Sequence, residues 1–207
     1  MKPIIFSTPM VKAILDGDKT MTRRVIKPQP KCKLCYIFAG GHNYPDKNTA
    51  QYWGEAFRLP EGLTAADKNA LWTPPCHGDD ILWVRETWST VSDAVSGEKR
   101  YLYAAGAAME DYSLENGALR KWRPSIHMPR EAARIFLRVT KVSVERLQEI
   151  SVEDIAREAL TGLIPDSTLT FRRFWDSLCK PADIDKYGWE ANPWVWVISF
   201  ERINESQ

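Results

Sequence analysis

The segment GDKTMTRR, residues 17–24, places one amine, two threonine hydroxyls and two guanidiniums within eight residues. The residues before it predict a short helix, because Thr8 and Pro9 are typical of an N-cap and a first helical position. Gly17 is typical of the residue that ends a helix. A helix that ends at glycine and is followed by Lys, Thr and Arg suits the rim of a binding pocket. The alternative is a solvated basic strand, since runs of charge usually face water.

Length and charge restrict the class of protein. A chain of 207 residues predicts one domain with long insertions, or one and a half small domains. The net charge of +1 excludes wholesale neutralisation of nucleic-acid phosphates, so any such contact must come from a local patch. No apolar run approaches the ~20 residues of a membrane span. The N-terminal stretch 1–6 lacks the pattern of a signal peptide, and we therefore expect a cytoplasmic protein without a membrane partner.

Four cysteines are too few and too unevenly spaced to predict a disulfide framework. Cys32 and Cys35 have the spacing of a zinc knuckle, and Cys76 and His77 could complete a Cys3His site. The alternative is a set of reduced thiols in loops, because adjacent ligands such as Cys76 and His77 suit tetrahedral coordination less well. Cys179 ends an amphipathic segment and is expected in the core.

The pattern of apolar residues predicts several short strands, two or three helices and long loops. These elements predict an α+β domain or a small mixed barrel. Residues 29–78 are rich in Pro, Gly and polar residues and indicate an irregular insertion, and residues 89–121 indicate a hairpin or loop around Tyr101 and Tyr103. The regular elements expected in the rest of the chain are strands at 81–85, 134–142 and 194–200 and helices at 151–160 and 168–179.

Chemistry must come from side chains assembled in space, because the common phosphate-loop, zinc-protease and serine-hydrolase motifs are missing from the sequence. Lys19 and Thr22 with a carboxylate would form such a set, since a threonine needs an adjacent base to act as a nucleophile. Glu86, at the end of a strand, and Glu158, on a helix, are the candidate carboxylates. The alternatives are an Arg85–Glu86 structural ion pair and a solvated helical glutamate.

His127 lies in the stretch 122–130, where two prolines are expected to stiffen the loop. A fixed imidazole can act as a general acid or base or contact a phosphate; the alternative is a hydrogen bond to a backbone carbonyl. Eight of the nine tryptophans exceed the needs of a core of this size: Trp53, Trp72, Trp83, Trp88, Trp122, Trp189, Trp194 and Trp196. One or two could stack on a nucleobase beside Arg23, Arg24 or Arg85. Of these eight, Trp194 and Trp196 alternate with valines and are expected in the core.

Five segments together resemble the ASCH domain family of the PUA-like superfamily, in particular its longer phage and prophage members. They are residues 17–24, 78–88, 122–130, 147–158 and 192–197. The resemblance covers somewhat over half of the chain. It implies a single ASCH domain over residues 1–207, with insertions at about 30–75 and 90–118. It also implies a PUA-like mixed β-barrel flanked by two or three short helices, with a central cleft and RNA-related roles.

Small bacterial ASCH proteins are amidohydrolases that remove the acetyl group from N4-acetylcytidine, and ribonuclease activity is also attributed to the family. Their catalytic lysine, threonine and glutamate fall on Lys19, Thr22 and Glu158 of this chain. Two departures are visible. Arg23 replaces the apolar residue usual after the threonine, and Ala159 stands where many members have glycine.

The resemblance therefore implies an RNA or nucleotide ligand and a hydrolase with Lys19, Thr22 and Glu158 as catalytic residues. The alternatives are a non-catalytic RNA-binding module and a phage assembly accessory protein. No cofactor is predicted, and the sequence leaves the oligomeric state open. The residues expected to contact the ligand are Arg23, Arg24, Arg85, Glu86 and His127.

Overall fold

The structure is a computed structural model that describes residues 1–27, 29, 74–92, 97, 99–106, 121–158 and 167–203. The strands of this part of the chain are β1 (Lys2–Ile5), β2 (Met21–Val25), β3 (Ile81–Arg85), β4 (Trp88–Ser92), β5 (Lys99–Tyr103), β6 (Phe136–Arg146) and β7 (Trp194–Ile203). The α-helices are α1 (Thr8–Asp16), α2 (Val152–Arg157), α3 (Ser167–Leu178) and α4 (Ile184–Tyr187).

Helix boundaries follow local capping chemistry. Gly17 has φ 87° and ends α1 in the left-handed conformation, as predicted. Ser7, not Thr8, is the N-cap of α1, because Ser7 keeps an extended backbone and Thr8 is already helical. Ser151 is the N-cap of α2, and its hydroxyl accepts a hydrogen bond of 3.1 Å from the backbone N–H of Asp154.

The strands form a mixed five-stranded sheet of order β1-β3-β6-β7-β2 and a two-stranded sheet of β4 and β5. These sheets and the short helices confirm the α+β prediction, and the antiparallel β4–β5 pair confirms the hairpin. The barrel is not found among the described residues, because the strand order ends at β1 and β2 and does not close. β1 was missed by the sequence analysis, since four residues are too few to show alternation.

The chain divides into two compact units that alternate along the sequence. The first unit contains residues 1–20, 80–138 and 201–207, and the second contains 21–79 and 139–200. The prediction of one domain over residues 1–207 stays a prediction. Most of its proposed insertions, at about 30–75 and 90–118, lies outside the described residues.

Each unit has an apolar cluster of its own. In the first unit, Trp83, Trp88 and Phe136 pack with Met128. In the second unit, α2 and α3 pack on one face of the sheet, where Ile155, Phe171 and Trp175 meet Val195 and Val197. The apolar faces of these short elements are therefore buried within their own units.

The ends of three elements differ from the prediction. β6 and β7 continue to Arg146 and Ile203, past the apolar alternation on which their predicted ends relied. α2 ends at Arg157, and Glu158 is its C-cap rather than a helical residue. None of the described helices has the length and apolar character needed to cross a membrane.

Candidate functional site

Lys19 is held at the C-terminal end of α1. The backbone N–H groups of Asp18 and Lys19 both donate to the carbonyl oxygen of Ala13, at 2.9 and 3.0 Å. The same carbonyl, in the last turn of α1, also accepts the backbone N–H of Gly17. The turn made by Gly17 therefore fixes where the chain places Lys19.

The Lys19 side chain is only 2% exposed, and its ammonium lies 5.7 Å from the centre of the Phe6 ring. Lysine is rarely buried to this degree without a structural or functional reason. Because β2 begins at Met21, Lys19 precedes the strand. The alternation that would send the side chains of residues 19 and 22 to opposite faces of a strand does not apply here.

Thr22 and Arg24 share one face of β2, and Arg23 lies on the other. Thr22 stands opposite Ile198 of β7 and is 2% exposed. Arg23 stands opposite Val197, on the face covered by α2 and α3. The two arginines of the segment 17–24 therefore occupy different environments although they are adjacent in sequence.

Arg23 is the centre of an ion-pair cluster, and its side chain is 1% exposed. Its guanidinium donates to Glu145 at 2.7 Å and to Asp154 at 2.9 Å. A longer contact of 3.4 Å reaches Glu158, which is 4% exposed. One buried guanidinium thus serves three carboxylates, and Glu158 is part of a structural network as well as a candidate catalytic residue.

Burial shifts two pKa values around this cluster. Desolvation raises the pKa of Glu145 above its usual range, although the Arg23 guanidinium opposes the shift. Desolvation lowers the pKa of Arg24, and the negative charge of Glu158 opposes that shift. Glu158 therefore acts electrostatically on both arginines of the segment.

Glu86 is buried in the first unit, but its partner differs from the expected one. The Arg134 guanidinium donates two hydrogen bonds of 2.9 Å to the two Glu86 carboxylate oxygens. Arg85 instead donates to the carbonyl oxygen of Met128 at 3.2 Å and lies 4.9 Å from the centre of the Trp83 ring. The alternative of an Arg85–Glu86 ion pair is therefore wrong, because Arg134 takes the bidentate position on the carboxylate.

The remaining predicted residues are spread over the molecule. His127 is exposed at the end of a short 3-10 helix, Ser125–His127. Cys76 is buried and His77 is partly exposed, whereas Cys32 and Cys35 lie outside the described residues. Within the described part of the chain, no group of three or more His, Cys, Asp or Glu side chains could hold a metal ion.

Two of the rings considered for base stacking carry arginine side chains. The Arg123 guanidinium lies 5.0 Å from the centre of the Trp88 ring, and that of Arg146 lies 4.4 Å from the centre of the Trp194 ring. Trp196, expected in the core, is 5% exposed. Cys179 is partly buried against the apolar cluster of the second unit, as expected.

Three residues that complete these networks were not predicted from the sequence. Asp154 lies four residues before Glu158, a spacing that puts two side chains on one helix face. That spacing was a usable signal. Glu145 and Arg134 gave none, because each lies far along the chain from its partner.

No protein-family model and no curated protein matches the chain. The chain is similar to a solved structure, protein EF3133 from Enterococcus faecalis V583, described as a DUF984 family protein. The similarity has a TM-score of 0.40 and 11% sequence identity, and it covers 99% of this chain and 82% of that one.

Proposed function

We propose that this chain is an ASCH-type protein of PUA-like fold that binds RNA or a nucleotide and hydrolyses an amide of the N4-acetylcytidine kind. The observation that supports it is the burial of polar groups in the segment 17–24. Lys19 and Thr22 are each 2% exposed, and Glu158, the third residue of the family pattern, is 4% exposed. A solvated basic strand, the alternative for this segment, would leave such side chains in water.

The proposed reaction assigns one role to each group. The Thr22 hydroxyl attacks the amide carbonyl, and Lys19 accepts its proton. Glu158 relays this proton from Lys19 to the departing amine as the C–N bond breaks, and the Arg24 guanidinium stabilises the negative charge on the carbonyl oxygen. The acetyl group is then an ester on Thr22, and water hydrolyses it to release acetate and restore the hydroxyl. Chain connectivity supports the first step, since residues three apart have Cα atoms no more than about 10 Å from each other.

A second candidate function, binding without catalysis, is favoured by the contact between Arg23 and Glu158. A carboxylate that already belongs to a buried ion pair can be structural. The family places an apolar residue where this chain has Arg23, so the pair is a departure from the pattern. In this alternative the same segment recognises a nucleotide and no substrate is turned over.

The experiment compares the wild-type protein with Thr22→Val, Thr22→Ser and Lys19→Ala. Each is incubated with N4-acetylcytidine and, separately, with a short single-stranded RNA, and the products are resolved by chromatography. We expect deacetylation of N4-acetylcytidine by the wild type, a loss of about 100-fold or more in Thr22→Val, and measurable activity in Thr22→Ser, which keeps the hydroxyl. Thermal melts identify any variant that fails to fold.

Two outcomes contradict the hydrolase. One is turnover by Thr22→Val and Lys19→Ala at the wild-type rate. The other is saturable nucleotide or RNA binding by the folded wild type with no product from either substrate, which supports the non-catalytic candidate. Cleavage of RNA with N4-acetylcytidine left intact contradicts the proposed substrate class and assigns the site to ribonuclease chemistry.

A further inference from the structure

A cavity of about 260 Å³ lies in the second unit beside β2. One wall is formed by residues 23–25 and Lys27. The opposite wall is formed by the C-terminal end of α3, with Trp175 and Leu178, and by residues 179–187. Thr22 and Glu158 do not line it, whereas Arg24, which is proposed to stabilise the carbonyl oxygen during hydrolysis, does.

The charge of the lining is predominantly positive. Arg23, Arg24, Lys27 and Lys180 are set against one carboxylate, that of Asp183. Arg23 is already neutralised by its three carboxylate partners, none of which lines the cavity. Positive charge remains in excess without it, and a cavity lined in this way raises the local concentration of anions.

Among the described residues, the contact that positions the Lys27 ammonium at the cavity is with an aromatic ring rather than with a carboxylate. This ammonium lies 4.3 Å from the centre of the Tyr187 ring. A cation–π contact holds the ammonium in position but supplies no full negative charge, so the lysine keeps its attraction for an anion. Lys180, on the opposite wall, is exposed and can turn its ammonium toward the same space.

The wall opposite β2 is fixed before any ligand arrives. The indole N–H of Trp175 donates to the carbonyl oxygen of Tyr187 at 2.8 Å, and the Cys179 thiol lies 3.6 Å from the same oxygen. Asp176 accepts a hydrogen bond of 2.7 Å from the backbone N–H of Trp189, just beyond α4. These bonds tie α4 and the turn after it to α3, and a preformed wall lowers the entropy cost of binding.

We propose that this cavity binds a small phosphorylated molecule, with Lys27 and Lys180 contacting the phosphate group. The charge of a phosphate dianion balances that of two ammonium groups, whereas a single carboxylate balances only one. Lysine binds phosphate through the charge of its ammonium group rather than through a fixed bidentate geometry. Val25, Trp175 and Leu178 give the cavity an apolar side for the organic part of the ligand. Pockets for drug-sized ligands have volumes of about 300–1,000 Å³, so a cavity slightly below this range suits a ligand no larger than a mononucleotide.

The test uses calorimetry on the full chain with three probes at constant ionic strength: cytidine 5′-monophosphate, cytidine and inorganic phosphate. We expect saturable binding of the monophosphate and weaker binding of cytidine, with inorganic phosphate also weaker than the monophosphate because it lacks the organic part. Lys27→Gln and Lys180→Gln should each weaken binding by about five- to tenfold, the effect of removing one charged hydrogen bond at a partly hydrated site.

Lys186→Gln is the matched control. Lys186 is exposed, lies on α4 one residue before Tyr187, and does not line the cavity. We expect its affinity to stay within twofold of the wild type, because it removes the same charge at a position that does not line the cavity. The variants Lys27→Gln and Lys180→Gln lie on the surface of a folded unit, and a thermal melt confirms that they remain folded.

Three results would overturn the proposal. If cytidine binds as tightly as its monophosphate, the phosphate group contributes nothing to binding. If Lys186→Gln and Lys180→Gln lose the same amount of affinity, the loss reflects the net charge of the protein and not a contact in the cavity. Binding of a 5′-phosphorylated RNA without binding of the monophosphate would assign the surface to RNA. Since this test does not use Lys19, Thr22 or Glu158, it can fail while the proposed hydrolase stands, and the reverse also holds.

Discussion

Replacement of Arg23 by leucine measures how much the ion-pair cluster contributes to the second unit. Leucine restores the apolar class of residue that the resembled family has after its threonine, and it occupies the face of β2 that α2 and α3 cover. The substitution leaves Glu145, Asp154 and Glu158 without their shared guanidinium. The three carboxylates then repel one another in a partly dehydrated space.

The expected cost follows from the exposure of the carboxylates. Removal of one partner of a fully buried ion pair costs about 3–5 kcal/mol. Glu145 and Asp154 are 22% and 23% exposed, so water relieves part of their loss, whereas Glu158 at 4% is shielded. Leucine adds apolar contact with the cluster, worth about 1 kcal/mol. We therefore expect the free energy of unfolding to fall by about 2–4 kcal/mol at pH 7.

The loss should depend on pH. Burial raises the pKa of Glu145 and Arg23 opposes that shift, so removing Arg23 should raise this pKa further. A carboxyl group whose pKa is higher in the folded protein than in the unfolded protein stabilises the fold at pH values below its unfolded pKa. That stabilisation is lost as the pH rises through the pKa of the folded state. The deficit of Arg23→Leu should therefore be largest at neutral pH and shrink toward the ordinary glutamate pKa.

Urea denaturation at pH 7 and at pH 5 measures both effects. Arg172→Leu is the control, because Arg172 pairs with Glu190 at 2.8 Å and the two side chains are 44% and 72% exposed. That exposed pair should contribute less than about 1 kcal/mol. The reasoning is refuted if Arg23→Leu costs no more than Arg172→Leu at pH 7, or if its cost is the same at both pH values.

Two further substitutions test the first unit and the α4 turn. Arg134→Ala should lower the free energy of unfolding by about 3–5 kcal/mol, because it leaves the Glu86 carboxylate, 1% exposed, without its bidentate partner. Adding Glu86→Gln to the same chain should recover part of this loss, because it removes the unpaired charge. No recovery in the double variant would contradict the prediction. Gly188→Ala should destabilise more than Gly17→Ala in thermal melts. A Cβ at 188 would lie 2.6 Å from a backbone oxygen, whereas at 17 it meets no atom within 4 Å and costs only the strain of φ 87°, about 1 kcal/mol; equal shifts would contradict this order.

The sequence predicted elements best where local chemistry decides their ends. The run 81–84 is apolar and follows a turn in which Asp79 has φ 65°, and the strand β3 has the predicted bounds, 81–85. Ser151 and Gly17 mark helix ends because their groups complete backbone hydrogen bonds within a few residues. Such signals need no knowledge of the rest of the chain.

Pairings between distant segments left no comparable signal. Glu86 and Arg134 are 48 residues apart, and Arg23 lies 122 and 131 residues from Glu145 and Asp154. Alternation predicts which face of a strand is buried, but it does not say which strand or helix will cover that face. The partners of buried charges therefore had to come from the structure.

The order of the strands in the sheet also depends on pairings between segments that lie far apart in the chain. β1 and β3 are parallel neighbours, with Lys2 beside Leu82. Parallel strands need a long crossover, so their pairing joins segments separated by most of the first eighty residues. The sequence predicted a mixed barrel without a strand order, so the parallel pairing at this end of the sheet came from the structure.

The density of positive charge in the segment 17–24 overstates what the segment can offer a ligand. Arg23 lies on the covered face and is compensated by three carboxylates, so its charge stabilises the second unit and is balanced within it. Arg23 and Arg24 both line the cavity beside β2, and burial lowers the pKa of Arg24. A buried cation gains more from an added negative charge than a hydrated one does, because it has already lost its water. A ligand contribution is therefore expected from Arg24 rather than from Arg23, whose charge is already balanced by three carboxylates.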